Sequence, residues 1–238
     1  METIKFKSGN LQLTGTLVWP DVLKDENPAI LFIHGLTGTK EKSYQYANSL
    51  AKLGYVSLLF DMRGHGESEG DINTATIKDF LTDCLSAFDY LINIKKIDKG
   101  RISIIGNSLG GYLGVVLTSK RKVKKLAIRA PADYPNNVFD KFAIEHGADN
   151  PSVMEWRKQL KDYNKSMALE AIHAFDGHIL IIESENDDRV PHATLDNYIN
   201  AASDKNKLTH VILQGASHSI GVGKFRNKVE KILLTWFN

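Results

Sequence analysis

Ser108 stands at the centre of the stretch Gly106-Asn107-Ser108-Leu109-Gly110, where an apolar strand pattern changes into a helical one. A serine hydroxyl is a poor nucleophile at neutral pH, and it needs a base, an exposed position and donors for the oxyanion. A sharp strand-to-helix turn exposes the hydroxyl and aims the backbone N–H of Leu109 at the reacting carbonyl oxygen. We therefore predict that Ser108 is a nucleophile, with a helix N-cap serine as the alternative.

The glycines around Ser108 suit this turn better than they suit a nucleotide-binding loop. Side chains at positions 106 and 110 would collide in so tight a turn, and Gly111 lets the helix approach the sheet. The string GNSLGG lacks the second glycine of the dinucleotide fingerprint G-x-G-x-x-G. The string GLTGTKEKS does not have the spacing of a phosphate-binding loop. We therefore expect no nucleotide cofactor.

The base for Ser108 has to be chosen from eight histidines. Only His218 lies in a glycine-bearing loop after the last predicted strand, in the segment LQGASHSIG. That loop leaves the carboxyl edge of the sheet, on the same side as Ser108. We predict His218 as the general base, with a solvated loop histidine as the alternative.

The carboxylate that orients the base is expected at the end of the preceding strand, in the segment ILIIESENDDRVPH. The candidates there are Glu183, Glu185, Asp187 and Asp188. A short turn after the strand, followed by Val-Pro opening a helix, favours Asp187. Asp188 is the alternative, and Glu183 is expected to be a buried or hydrogen-bonded residue at the strand end.

A second oxyanion donor is expected from the loop after the first central strand, in the segment IHGLTGTKEK. Gly35 allows the chain to bend sharply there. The backbone N–H of Leu36 is the predicted donor, to act together with the N–H of Leu109. Because only the backbone of Leu36 would be used, its side chain is free to vary.

The elements that must position these residues follow from the hydrophobic pattern. Alternation on both sides of Gly9-Asn10 predicts an antiparallel hairpin, and the rest of the chain alternates apolar strands with amphipathic helices. This predicts an α/β fold whose parallel sheet carries helices on both faces. The segment 131–177 interrupts the alternation, so we predict an α/β core of residues 1–130 and 178–238 and a cap inserted at 131–177. A helix pair packed on the flank is the alternative for that segment.

Composition narrows the class of protein further. The chain has 238 residues, of which 42% are hydrophobic, and a net charge of +2. So small a net charge argues against nucleic acid or an anionic membrane surface as a partner. The lone Cys84 allows neither an internal disulfide nor a multi-cysteine metal site. The N-terminus lacks a leader-like apolar segment, so a cytoplasmic protein is expected, and a homodimer is compatible with this composition.

Five motifs together resemble the α/β-hydrolase superfamily: FIHGLTG, DMRGHGESEG, GNSLGG, ENDDRVP and GASHS. The chain is most similar to serine aminopeptidase-like and esterase/lipase members, and in layout to the bacterial cinnamoyl and feruloyl esterases. The resemblance implies an eight-stranded, mostly parallel sheet and neither a metal nor an organic cofactor. It implies a catalytic triad of Ser108, Asp187 and His218, with the amides of Leu36 and Leu109 forming the oxyanion hole.

The resemblance also narrows the reaction to acyl transfer to water. A serine nucleophile disfavours dehalogenase chemistry, which uses aspartate there, and dienelactone hydrolysis, which uses cysteine. The expected substrate is a small-molecule carboxylic ester. An aminopeptidase-like amide hydrolase or a thioesterase is the alternative, and a non-catalytic ligand-binding member is a further one. An aminopeptidase would need a carboxylate for the substrate ammonium, and Glu145, Asp149 and Glu155 are candidates for it.

Overall fold

The chain begins with the predicted hairpin. The computed structural model describes residues 1–238. Strands β1 (Glu2–Ser8) and β2 (Leu11–Val18) pair antiparallel, and the turn between them has Gly9 at φ +59°. A positive φ of this kind is adopted readily by glycine. The hairpin forms one edge of the sheet.

Six further strands complete an eight-stranded sheet with the order β1-β2-β4-β3-β5-β6-β7-β8. All strands from β3 onward pair in parallel with one another. The predicted α/β fold with a mostly parallel sheet is confirmed. The strands are β3 (Asn27–Ile33), β4 (Val56–Phe60), β5 (Ile97–Asn107), β6 (Lys125–Arg129), β7 (His178–Asn186) and β8 (Leu208–Ser217).

The chain has seven α-helices, and six of them cover the two faces of this sheet. Successive residues of β3 belong to different cores: Leu31 packs on one side and Phe32 on the other. Such near-continuous apolar strands are typical of a parallel sheet that is buried on both faces. None of the helices combines the length and the apolarity needed to cross a membrane. They are α1 (Tyr44–Ala51), α2 (Ile77–Ile92), α3 (Leu109–Thr118), α4 (Pro151–Lys158), α5 (Met167–Ala174), α6 (His192–Ala201) and α7 (Lys224–Phe237).

The two helical layers differ in composition. Helices α1 and α7 pack together over one face, around a smaller core that includes Leu50 and Leu233. Helices α2, α3, α5 and α6 form the other layer, over the larger core that includes Phe80 and Leu113. The thin layer of α1 and α7 lies close to the candidate site, as described below.

The segment 131–177 divides into two parts in the structure. Its last helix, α5, packs against α3 and α6 and so lies within the larger helical layer. The part before α5 includes α4, and it is joined to the start of α2 by a backbone bridge between Thr76 and Phe142. This earlier part borders the cavity that contains Ser108.

The parallel strands bring three candidate residues to one edge of the sheet. Strand β5 ends at Asn107, directly before Ser108. Strands β7 and β8 are neighbours, and Asn186 at the end of β7 pairs with Ser217 at the end of β8. Because Asp187 and His218 are the next residues along the chain, the pairing register places them side by side. Ligand sites of open α/β sheets lie at this carboxyl edge.

Candidate active site

Ser108, His218 and Asp187 form one hydrogen-bonded row. The Nε2 atom of His218 lies 3.1 Å from the Oγ of Ser108. Its Nδ1 atom lies 2.9 and 2.8 Å from the two carboxylate oxygens of Asp187. A neutral imidazole protonated on Nδ1 can donate to the carboxylate and accept the serine proton on Nε2. The arrangement is therefore able to activate a hydroxyl nucleophile.

Ser108 adopts a strained backbone conformation, with φ +53° and ψ −117°. Such a conformation is rare outside glycine and costs on the order of 1–3 kcal/mol, so the surroundings must hold it. The N–H of Ser108 donates to the carbonyl of Arg129 at 3.0 Å. The carbonyl of Ser108 accepts from the N–H groups of Gly111, at 2.9 Å, and Ala132, at 3.1 Å. These bonds join the turn to both β6 and α3.

The turn leaves no room for side chains at two of its glycines. A Cβ atom on Gly110 would lie 2.2 Å from the carbonyl oxygen of Ile33, on the neighbouring strand. A Cβ on Gly106 would lie 2.3 Å from the carbonyl oxygen of Gly110. Both distances are far below van der Waals contact with backbone atoms. Side chains at positions 106 and 110 would therefore collide with the backbone, as the sequence predicts.

Asp187 is oriented by backbone as well as by His218. Its Oδ1 atom accepts hydrogen bonds from the N–H groups of Arg189, at 2.9 Å, and Val190, at 2.8 Å. Burial by itself would raise the pKa of Asp187, but the bonds from His218 and from these two amides lower it overall. Asp188, the alternative acid, is exposed to solvent. Of the two aspartates, the structure brings Asp187 to the histidine.

The two backbone amides expected to form an oxyanion hole flank Ser108. Leu109 is the first residue of α3, and Gly35 lies so close to the turn that a Cβ there would be 3.3 Å from the Cβ of Ser108. Within the protein, the N–H groups of Leu36 and Leu109 donate no hydrogen bond. Both amides are therefore available to an oxygen bound beside Ser108.

Two histidines hold the loop that carries Leu36. The Nδ1–H of His34 donates to the carbonyl of Gly35 at 2.7 Å, and its Nε2 accepts from the N–H of Met62 at 3.0 Å. Burial, followed by the nearby His65, lowers the pKa of His34 to about 4, so the ring is neutral at physiological pH. His65 hydrogen bonds through Nε2 to the carbonyl of Leu36. These positioning roles were not predicted from the sequence, although both histidines lie in the quoted motifs.

The same loop is anchored by a buried lysine. The Nζ of Lys40 donates to Asp61 and to Glu67, each at 2.6 Å, and lies 3.2 Å from Glu41. Burial by itself would lower the pKa of Lys40, but these carboxylates raise it overall. Glu41, Asp61 and Glu67 are also the acidic side chains close enough together to hold a metal ion. Because the ammonium of Lys40 already contacts all three, the cluster is an internal ion-pair network.

The motif DMRGHGESEG is structural, as expected for Asp61, Arg63 and Ser68. Arg63 donates to both oxygens of the buried carboxylate of Asp83, at 2.7 to 3.1 Å. Ser68 donates to the carbonyl of Asp61 at 2.6 Å. These contacts fix the loop that carries His65. Sequence reasoning missed Lys40 and Asp83, because their partners lie far away in the chain.

A cavity of about 420 Å³ opens beside the row, and both Ser108 and His218 line it. The segment before α5 contributes Tyr134, Ile144 and Asp149 to its wall. Glu145 and Glu155, the other two candidate partners for a substrate ammonium, do not line the cavity. A substrate bound at Ser108 would therefore contact this segment as well as the sheet edge.

Glu183 lies beside the candidate acid loop and has two histidine partners. It is buried at the end of β7, and it bonds to the Nε2 of His210 at 2.7 Å and to the Nδ1 of His192. The hydrogen bond with Glu183 raises the pKa of His192 above 6.5. His192 is the first residue of α6, so this bond joins the end of β7 to the start of that helix. The polar strand-end role expected for Glu183 fits this geometry.

We predict that His192 stabilises the fold more in acid than in base. A histidine whose folded pKa is raised contributes fully below its unfolded value of 6.5 and loses that contribution as pH rises through the folded value. The melting temperature of His192→Gln should therefore fall further below that of the wild type at pH 5.5 than at pH 9. His178→Gln is the control, because His178 is exposed and lies on β7, the strand that carries Glu183. An equal or larger difference at pH 9 would refute the prediction.

The family model of the prolyl oligopeptidases ("Prolyl oligopeptidase family") matches residues 41–238 of the chain. That range includes Ser108, Asp187 and His218, whereas Leu36 lies before it. An uncharacterized protein of Mycobacterium tuberculosis is 30% identical over 205 residues, which cover 86% of this chain and 68% of that protein. These two matches extend over most of the chain.

Solved structures with the same fold include a protein with ferulic acid bound and a peptidase. Est1E from Butyrivibrio proteoclasticus, solved with ferulic acid bound, superposes with a TM-score of 0.76 at 19% identity, covering 98% of this chain and 97% of Est1E. An acylaminoacyl peptidase of Pyrococcus horikoshii superposes with a TM-score of 0.74 at 22% identity, covering 99% of this chain and 40% of the peptidase. The predicted α/β-hydrolase superfamily is thus confirmed, and within it the chain belongs to the prolyl oligopeptidase family of serine hydrolases.

Proposed function

We propose that the protein hydrolyses carboxylic esters of small or medium acyl groups through an acyl-enzyme on Ser108. The observation that carries the proposal is the row from Asp187 through His218 to Ser108, with 2.8 Å and 3.1 Å between successive partners. The row opens into a cavity of about 420 Å³, which has room for a small acyl group.

The first half of the reaction forms the acyl-enzyme. The Oγ of Ser108 attacks the ester carbonyl carbon, and its proton passes to the Nε2 of His218. The carbonyl oxygen becomes an oxyanion, and the N–H groups of Leu36 and Leu109 stabilise it. As the tetrahedral species collapses, the bond to the leaving oxygen breaks, and that oxygen takes the proton from His218. An alcohol departs.

The second half returns the enzyme to its starting state. A water molecule gives a proton to the Nε2 of His218 and attacks the acyl carbon. The same two amides hold the second oxyanion. Collapse breaks the bond to the Oγ of Ser108, which recovers its proton from His218, and the carboxylic acid leaves. Throughout, the lowered pKa of Asp187 keeps its carboxylate ionised, so it stabilises the imidazolium in both halves.

Amide hydrolysis is the second candidate, because the family includes peptidases and because Asp149 lines the cavity. The carboxylate of Asp149 is able to attract a substrate ammonium. However, the cavity wall also carries Lys42, Arg129, Arg157, Arg189 and Arg226. So large an excess of basic side chains disfavours a cationic substrate, and it favours the ester proposal.

The test compares esters and an amide that each release a coloured nitroaromatic leaving group, p-nitrophenol from the esters and p-nitroaniline from the amide. We expect p-nitrophenyl acetate and butyrate to be cleaved, with a kcat/KM well above that of alanine p-nitroanilide. Faster cleavage of the anilide would replace the ester proposal by the amide one. If neither class is cleaved faster by the wild type than by Ser108→Ala, the protein does not catalyse acyl transfer to water.

A further inference from the structure

Arg129 is a basic side chain inside the cavity that the proposed reaction leaves unused. It is the last residue of β6, and it lines the same cavity as Ser108. One of its terminal nitrogens donates to the Oγ of Ser184 at 3.1 Å, and the other donates to the backbone carbonyl of His218 at 2.8 Å. A guanidinium has five N–H donors, so these two bonds leave most of them free.

No carboxylate of the protein forms an ion pair with Arg129. Burial lowers the pKa of Arg129, although Tyr46 and, to a smaller extent, Asp187 partly oppose this. Arg129 is half-buried. A charge that is partly removed from water is costly unless it is paired, and two neutral acceptors do not supply an opposite charge. By contrast, Arg63 and Arg121 each bind a carboxylate bidentately. Arg129 therefore has no carboxylate as an ion-pair partner within the protein.

The rest of the cavity has the same charge imbalance. Five basic side chains line it, and none of them belongs to an ion pair: Lys42, Arg129, Arg157, Arg189 and Arg226. Asp149 is the one acidic side chain in the lining. Clefts with one sign of charge raise the local concentration of ligands that carry the other sign. The cavity thus favours anionic ligands.

The position of Arg129 indicates which part of a substrate would carry the anion. Arg129 follows Ala127 by two residues on β6, so its side chain is on the face of the sheet that α1 and α7 cover, where the cavity wall includes the buried residues Ala127, Ile182, Val229 and Leu233. The alcohol must leave the cavity before water can attack, whereas the acyl group stays bound to the serine until that attack. This walled side of the cavity is therefore better suited to the acyl group.

We propose that Arg129 binds a carboxylate at the far end of the acyl group, so that the preferred substrates are monoesters of dicarboxylic acids. This inference rests on the proposed ester hydrolysis and specifies its substrate class. An arginine and a carboxylate form paired, charge-assisted hydrogen bonds, and such bonds are stronger than neutral ones. A neutral acyl group would leave the charge of Arg129 uncompensated.

The test uses pairs of esters that differ in one charge. The p-nitrophenyl monoesters of adipate and suberate are compared with the same esters capped by a methyl group, with Ser108→Ala as the background. We expect the wild type to prefer the free carboxylate by at least roughly tenfold in kcat/KM, as one hydrogen bond between charged groups implies. The preference should shrink as salt concentration rises. No preference, or a preference for the capped esters, would overturn the proposal.

Variants of Arg129 separate substrate binding from support of the His218 loop. Arg129→Met should remove most of the preference for the free carboxylate, mainly through KM, and Arg129→Lys should keep part of it. If both variants slow the free and the capped esters by the same factor, Arg129 only positions His218 and the proposal is wrong. Arg121→Met is the matched control and should keep the wild-type preference, because Arg121 binds Asp89 on the outside of the protein.

The comparison of free and capped esters also distinguishes failure of this inference from failure of the proposed ester hydrolysis. Cleavage of the capped esters without any preference for the free ones would leave ester hydrolysis intact and refute the role of Arg129. If Arg129→Met does not fold, competitive inhibition of the wild type by adipate and suberate decides instead. Inhibition at least roughly tenfold stronger than that by the neutral dimethyl esters is expected, and equal inhibition would refute the proposal.

Discussion

Replacing Ser108 with alanine should lower kcat for p-nitrophenyl butyrate by about 10⁵- to 10⁶-fold, as loss of the nucleophile does in a triad enzyme. The side chain of Ser108 makes one hydrogen bond, to His218, while its backbone bonds hold the turn. Because alanine retains a Cβ and the same backbone groups, the fold should be preserved. Steady-state kinetics and a thermal melt of the purified variant check both parts.

Ser119→Ala is the matched control for this experiment. Ser119 caps the other end of α3, where its hydroxyl bonds to the carbonyl of Val116 at 2.8 Å. We expect the control to turn over at the wild-type rate. If Ser108→Ala retained more than a hundredth of the wild-type activity while folded, another group would have to be the nucleophile.

The substitution Asp187→Asn should lower kcat by about 10⁴-fold, the size of effect that follows when a triad aspartate is replaced by asparagine. The side-chain amide has nearly the shape of the carboxylate and can still accept from the amides of Arg189 and Val190. However, it carries no charge to stabilise the imidazolium of His218, and its NH₂ group favours the wrong tautomer of the ring. A rate measurement at a fixed neutral pH is sufficient.

Asp188→Asn is the control for Asp187→Asn, since the two aspartates are adjacent in sequence. Asp188 is exposed, whereas the side chain of Asp187 is 3% exposed. We expect the activity of Asp188→Asn to stay within a few-fold of the wild type. The opposite pattern, a severe loss at position 188 and a mild one at position 187, would assign the acid to Asp188.

Much of the fold could be predicted because the apolar pattern is strong in each element. The run Ala29-Ile30-Leu31-Phe32-Ile33 is apolar throughout, so it indicates a strand that is covered on both faces. The division of the segment 131–177 was not evident in the same way. The helical pattern of α5 reveals that a helix is present, but only its packing against α3 and α6 shows that it lies in the main helical layer.

Only some residues of the candidate site could likewise be predicted from local sequence. Ser108 and His218 are marked by glycine-bearing loops at strand ends, and for such residues local sequence is informative. The choice between Asp187 and Asp188 depends on a turn geometry that the sequence left open. Lys40 and Arg129 had no local signal at all. Their importance comes from what surrounds them, since Lys40 contacts residues up to 27 positions away and Arg129 contacts His218, 89 positions away.

The central claim, that Ser108 is the activated nucleophile of a hydrolase, is tested most directly by a fluorophosphonate probe read by intact-mass spectrometry and peptide mapping. The wild type should gain the mass of one probe, located on Ser108, while His218→Ala should react far more slowly. A folded wild type that gains no more label than Ser108→Ala, or that carries the label on another residue, would contradict the claim.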